Sequence, residues 1–151
     1  MIQNGYSVLW AADVSEKGFA TSNKGVAVLP AVPSAEMSEA DISKWQSLPE
    51  KEKEKELYKL NSPVVEMEVT QEMRQDAFDN YETTDDHGLH IIGTAKNQEG
   101  KVFYKVKNSW GDYNEYEGYF YASKPYVSCK TMSVMVHKDG SPQHIKEKLE
   151  L

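Results

Sequence analysis

Two short apolar runs, residues 89–95 and 102–106, are separated by Lys96-Asn97-Gln98-Glu99-Gly100, and no other feature limits the fold of this chain so tightly. Both runs are rich in strand-forming residues, and the Asn and Gly between them suit a hairpin loop. The first run is entered through His87-Gly88-Leu89-His90-Ile91-Ile92-Gly93, and the second is left through Lys107-Asn108-Ser109-Trp110-Gly111. Pairing the runs as a hairpin therefore brings His87 and Asn108 together at its open end.

The remaining segments supply partners for that hairpin. Residues 6–12 read as a buried strand, 26–30 as a short apolar run ended by Pro30, and 118–122 and 131–137 as two more strands. Residues 64–69 alternate, with Val65, Met67 and Val69 on one side and Glu66 and Glu68 on the other, as a half-exposed strand would. Three helices interrupt the strands. Ser38 with Asp41 three residues on forms a start signal before Ile42, Trp45 and Leu48, and Pro49 opens a mostly wet helix over 50–60. Thr70 caps a third, reaching about Tyr81, with Met73, Ala77, Phe78 and Tyr81 as its apolar face. The expected class is α+β: a mainly antiparallel sheet or barrel in one body over residues 1–151, with a helical insertion at about 34–62.

Composition narrows the function. A formal net charge of -7, with no basic stripe outside the balanced Glu/Lys run at 50–59, argues against a nucleic-acid partner. Cys129 is the single cysteine, so neither an internal disulfide nor a cysteine-based zinc site can form. No run approaches the roughly 20 apolar residues of a membrane-spanning helix, and the first residues lack the pattern of a signal peptide. The Glu/Lys run itself reads as a solvated helix face with charge pairs four apart.

The His87–Asn108 pairing is the part of the sequence that carries chemistry. An imidazole can take a proton from a nucleophile and return it to a leaving amine, provided that a neighbour holds its other N–H and fixes the tautomer. An asparagine side-chain oxygen does this, and Trp110 can cover the hydrogen bond against water. His90, three residues on, falls on the opposite face of the strand and reads as a packed or surface histidine. Asp85 and Asp86 read as solvated loop acids whose charge favours a protonated His87. No metal site is expected from His87, His90 or these acids, and no cofactor.

These motifs resemble those of papain-like cysteine peptidases, in which a His-small-aliphatic-x-aliphatic-aliphatic-Gly segment precedes Asn-Ser-Trp-Gly, with a glycine ten residues after the asparagine. Asn108 and Gly118 keep that spacing, and residues 6–12 resemble the first strand of the family's C-terminal barrel. The segment 13–25 and the long insertion before His87 resemble the bleomycin hydrolase/aminopeptidase C branch. The resemblance implies the C-terminal, barrel half of a papain-like fold, with His87 as general base and acid, Asn108 as its orienter and Trp110 in support. It implies as partners a peptide substrate and an N-terminal half bearing the oxyanion-hole glutamine and the nucleophilic cysteine. It further implies aminopeptidase action, a homohexamer and a cytoplasmic setting. Asp85 and Asn114-Glu115 depart from the family pattern. No nucleophile is expected within this chain, because Cys129 precedes a strand instead of opening a helix. On this reading the chain alone is inactive, the alternative being a pseudoenzyme or peptide-binding module of the same fold.

Overall fold

The computed structural model describes residues 2–32 and 38–150. Seven strands form one sheet: β1 (Val8–Ala12), β2 (Phe19–Ala20), β3 (Val26–Ala27), β4 (His87–Lys96), β5 (Val102–Lys107), β6 (Tyr119–Ser123) and β7 (Thr131–Val136). Their spatial order is β2-β3-β6-β5-β4-β1-β7. Every pair is antiparallel except β3 with β6. The helices are α1 (Glu39–Ser47), α2 (Glu50–Leu57), α3 (Gln71–Asp79), α4 (Lys124–Lys130) and α5 (Gln143–Leu149). The expected α+β class is therefore the observed one, as an open sheet.

The core lies under the middle strands. Trp10, Leu89, Ile91, Val106 and Phe120 from one face of the strands are buried together with Tyr126 from α4. Trp10 and Tyr126 meet edge to face, with ring centroids 6.5 Å apart. Their polar ends are also satisfied: Trp10 Nε1–H donates to Thr131 Oγ1 at 2.8 Å, and Tyr126 O–H donates to the Asp13 carbonyl at 3.0 Å. These two bonds tie α4 and β7 to the end of β1.

Several expected elements differ from those observed. Residues 64–69 form no strand; they touch the sheet through one isolated bridge, Pro30 to Glu66, flanked by backbone bonds from Ala31 N–H to Val65 and from Met67 N–H to Leu29. Glu66, placed on the wet side by the alternation, turns inward, and its Oε1 accepts from Leu29 N–H at 2.9 Å and from the Ser123 hydroxyl. Those two donors outweigh the exposure expected of a glutamate. The third helix is capped by Thr70 as expected, its hydroxyl accepting from Met73 N–H, but Phe78 and Tyr81 are 54% and 84% exposed. The helix ends at Asp79 and Tyr81 lies beyond it at φ +62°, so helical spacing no longer places its side chain, while Phe78 stands at the rim of a small cleft with Cys129 and Met132.

Helix α4 was hidden between two expected strands. Ser123 caps it, accepting from Tyr126 N–H, and Pro125 stands in its first turn. The helical insertion is present as α1 and α2, neither of which buries a residue. The second ends at Leu57 instead of reaching residue 60, and Pro49 is its cap instead of its first helical residue. The expected start of the insertion at residue 34 lies outside the described residues.

Candidate active site

Strand pairing builds the site from three segments. The register sets Ala12 opposite His87 and His90 opposite Lys107, so Asn108 emerges from β5 beside the start of β4. Its backbone N–H donates to the Gly118 carbonyl at 3.0 Å, closing the loop between β5 and β6. His87 is half-buried and Asn108 is 3% exposed.

His87 Nε2 lies 2.8 Å from Asn108 Oδ1. The same oxygen accepts from Ser109 N–H at 2.8 Å, which identifies it as the carbonyl end of the amide. A carbonyl oxygen can only accept, so His87 must donate through Nε2–H, and the neutral ring keeps its lone pair on Nδ1. The arrangement therefore offers one base, with a fixed tautomer and a known nitrogen. The Ser109 hydroxyl is 3.4 Å from Nε2, on the protonated side, and cannot be activated from there.

Trp110 stacks on the His87 ring at a 36° tilt, with centroids 4.8 Å apart. It is itself held edge-on by Phe19 from β2 at 6.2 Å and by Tyr113 at 5.3 Å. Trp110 remains 48% exposed, so one side of this aromatic wall faces outward beside the imidazole. The three residues expected at the site, His87, Asn108 and Trp110, are thus brought together. His90 is exposed on the other face of β4, where its Nε2 meets the Ser7 hydroxyl at 2.8 Å. Asp86 accepts from the Thr84 hydroxyl at 2.6 Å, and Asp85 is exposed.

One organising residue escaped sequence reasoning. Asn114 stands where the resembled pattern often carries tryptophan, and it uses both ends of its amide. Its Oδ1 accepts from Tyr116 N–H and Gly118 N–H at 3.1 and 2.9 Å. Its Nδ2 donates to the carbonyls of Thr21 and Tyr119, both at 2.9 Å. These four bonds fix the loop that carries Trp110, and the departure from the pattern is structurally compensated. Gly118 completes the loop at φ +77°, where a Cβ would sit 2.1 Å from the Gly111 carbonyl oxygen.

Cys129 lies in the last turn of α4, half-buried, lining a small cleft with Arg74, Thr83 and Met132. Burial pushes its thiol pKa up, against the pull of Lys130, which is opposite to the activation a nucleophile needs. Among the described residues there is no group of three or more His, Cys, Asp or Glu able to hold a metal ion.

The profile of the Peptidase C1-like family matches residues 40–151. This chain belongs to that family. Among solved structures it is similar to PepW from Lactobacillus rhamnosis HN001, with a TM-score of 0.57 at 19% identity over 98% of this chain. That likeness carries the papain-like fold, and the chain spans only 26% of the PepW chain. No curated protein matches it. Fold and family together make the chain cysteine-peptidase-related, of a hydrolase and protease lineage.

Proposed function

We propose that this chain is the C-terminal, histidine- and asparagine-bearing portion of a cysteine aminopeptidase whose nucleophilic thiol lies outside these 151 residues. One observation carries the reading: the 2.8 Å bond that commits His87 Nε2–H to Asn108 under the Trp110 ring. In this reading His87 Nδ1 takes the proton of a cysteine thiol, and the thiolate attacks the substrate carbonyl. The resulting imidazolium then protonates the departing amine, and water hydrolyses the thioester with His87 again as base. Asn108 holds the ring orientation throughout, and Trp110 keeps water from its bond.

The fitting partner is a segment that brings a thiol to the Nδ1 side of His87 together with donors for the oxyanion. Peptide N-termini are the substrate class, and a homohexamer is the assembly, both by resemblance to the aminopeptidase C branch. The chain by itself should not turn over substrate. Mixing it with the upstream segment of its parent protein should give hydrolysis of an aminoacyl fluorophore that a thiol alkylator abolishes. Peptide binding without thiol-sensitive turnover would favour the binding-module reading instead, and the peptidase reading would fail.

A further inference from the structure

Behind the histidine lies a buried ion pair that the proposed chemistry does not use. Asp13, the residue after β1, is fully buried, and Lys130, at the end of α4, is 5% exposed. Lys130 Nζ faces three acceptors: Asp13 Oδ2 at 3.7 Å, Thr83 Oγ1 at 3.3 Å and the Glu16 carboxylate. The ammonium thus has hydrogen-bond partners in Thr83 and Glu16, and Asp13 lies at ion-pair distance. Asp13 in turn accepts from Ser15 N–H and the Ser15 hydroxyl through Oδ1, at 2.8 and 2.6 Å, and from Thr84 N–H through Oδ2 at 3.4 Å. Backbone bonds close the ring of contacts: Asp13 N–H to the Lys130 carbonyl and Asp86 N–H to the Ala12 carbonyl.

Every contact of the pair outside its own neighbourhood thus falls on residues 83–86, the four residues that deliver the chain to His87. Ala12, immediately before Asp13, is the strand partner of His87 itself. A buried ion pair is weak evidence for stability, since packed apolar side chains of similar volume hold a fold as well or better. What charge and directed hydrogen bonds add is geometric definition, here of two chain segments that meet at the imidazole. We infer that Asp13 and Lys130 are positioning residues, which fix the loop entering β4 so that the His87 ring keeps its Nε2–H on Asn108. The inference rests on His87 being the base proposed above.

The test uses the ring nitrogens of His87, observed by imidazole proton–nitrogen correlation in the labelled chain, with the exposed His144 as an internal reference. In the wild type the His87 Nε2–H proton signal should persist, protected by its bond. In Lys130→Met it should be lost to solvent exchange, as at His144, while the amides of Leu89 and Val106 stay protected. Because removing one partner leaves a buried charge, the paired change Asp13→Asn with Lys130→Met serves as the second variant. The same loss is expected there. In the enzyme completed with its thiol, either variant should lower kcat by about tenfold with KM unchanged, the pattern of a misplaced base. An unchanged His87 signal in a folded variant would overturn the inference, and so would unfolding of both variants, since the pair would then hold the sheet and not the histidine. The ring measurement needs neither thiol nor substrate, so loss of the signal in the variants together with no activity in the completed wild-type enzyme would sink the proposed function and leave only the placement of the His87 ring by the pair.

Discussion

The β4–β5 hairpin and the α1–α2 insertion use their residues in opposite ways. Along β4 and β5, Leu89, Ile91 and Val106 are buried to 5% exposure or less, and the side chains between them are more exposed. Along α1 and α2 no residue is buried; the ion pairs of this segment are Lys53–Glu50 within α2, Lys59–Glu56 at its end and Glu54 with Lys17 from the loop before β2. Burial fixes register and hence the meeting of His87 with Asn108, whereas the insertion answers mainly to helix start signals and exposed charge contacts. The molecule spends its packing where a histidine must be placed.

That contrast can be broken by substitution, and the largest effect should come from the sheet. Trp10→Ala empties a fully buried site and removes the Trp10 donor from Thr131 Oγ1, so it should cost about 3–5 kcal/mol in denaturant unfolding. A loss under about 1 kcal/mol would mean the core is not where it is described. Next, two glycines share almost the same φ but not the same surroundings. Gly100→Ala, with φ +79° and open space, should cost roughly 1–2 kcal/mol from backbone conformation alone. Gly118→Ala adds the clash with Gly111 and should cost more, quenching or shifting Trp110 fluorescence as the loop moves. Equal costs at the two positions would remove the claim that the Trp110 loop is tightly built.

A smaller effect should follow pH. Burial would raise the Asp13 pKa, but the Ser15 hydrogen bonds and Lys130 together hold it below its ordinary 3.8. Burial likewise opposes the charge of Lys130, and Glu16 with Asp13 overcomes it, lifting that pKa above its ordinary 10.5. A depressed carboxyl stabilises the fold above its unfolded pKa and loses that contribution as pH falls through its folded value. A raised ammonium stabilises below its unfolded pKa and loses it as pH rises through the folded one. The thermal midpoint should therefore be level between about pH 5 and 9 and fall on both sides. The paired change Asp13→Asn with Lys130→Met should shallow both limbs, and unchanged limbs in calorimetry would contradict the assignment. Smallest of all, Lys53→Ala on α2 should change stability by less than about 0.5 kcal/mol.

The same contrast explains what could be read from sequence. The hairpin was legible because burial alternates along it and its loop residues are distinctive, so His87, Asn108 and Trp110 fell into place together. Glu66 was not, since its inward turn depends on donors from Leu29 and Ser123, which are distant in sequence. Helix α4 is not legible although Ser123 and Pro125 signal its start, because seven residues between two strands give no helical period to detect. Asn114 and the Asp13–Lys130 pair were invisible for a related reason: their roles consist of partners supplied by other segments.

Two histidines three residues apart on β4 allow the central claim to be tested against its own control. His87 meets Asn108 and Trp110, and His90 meets only Ser7 on the opposite face. In the proposed enzyme, completed with a thiol-bearing segment, His87→Ala should lower kcat by at least about a thousandfold, while His90→Ala should leave turnover at the wild-type level. Full activity in His87→Ala, or equal losses in both variants, would contradict the account.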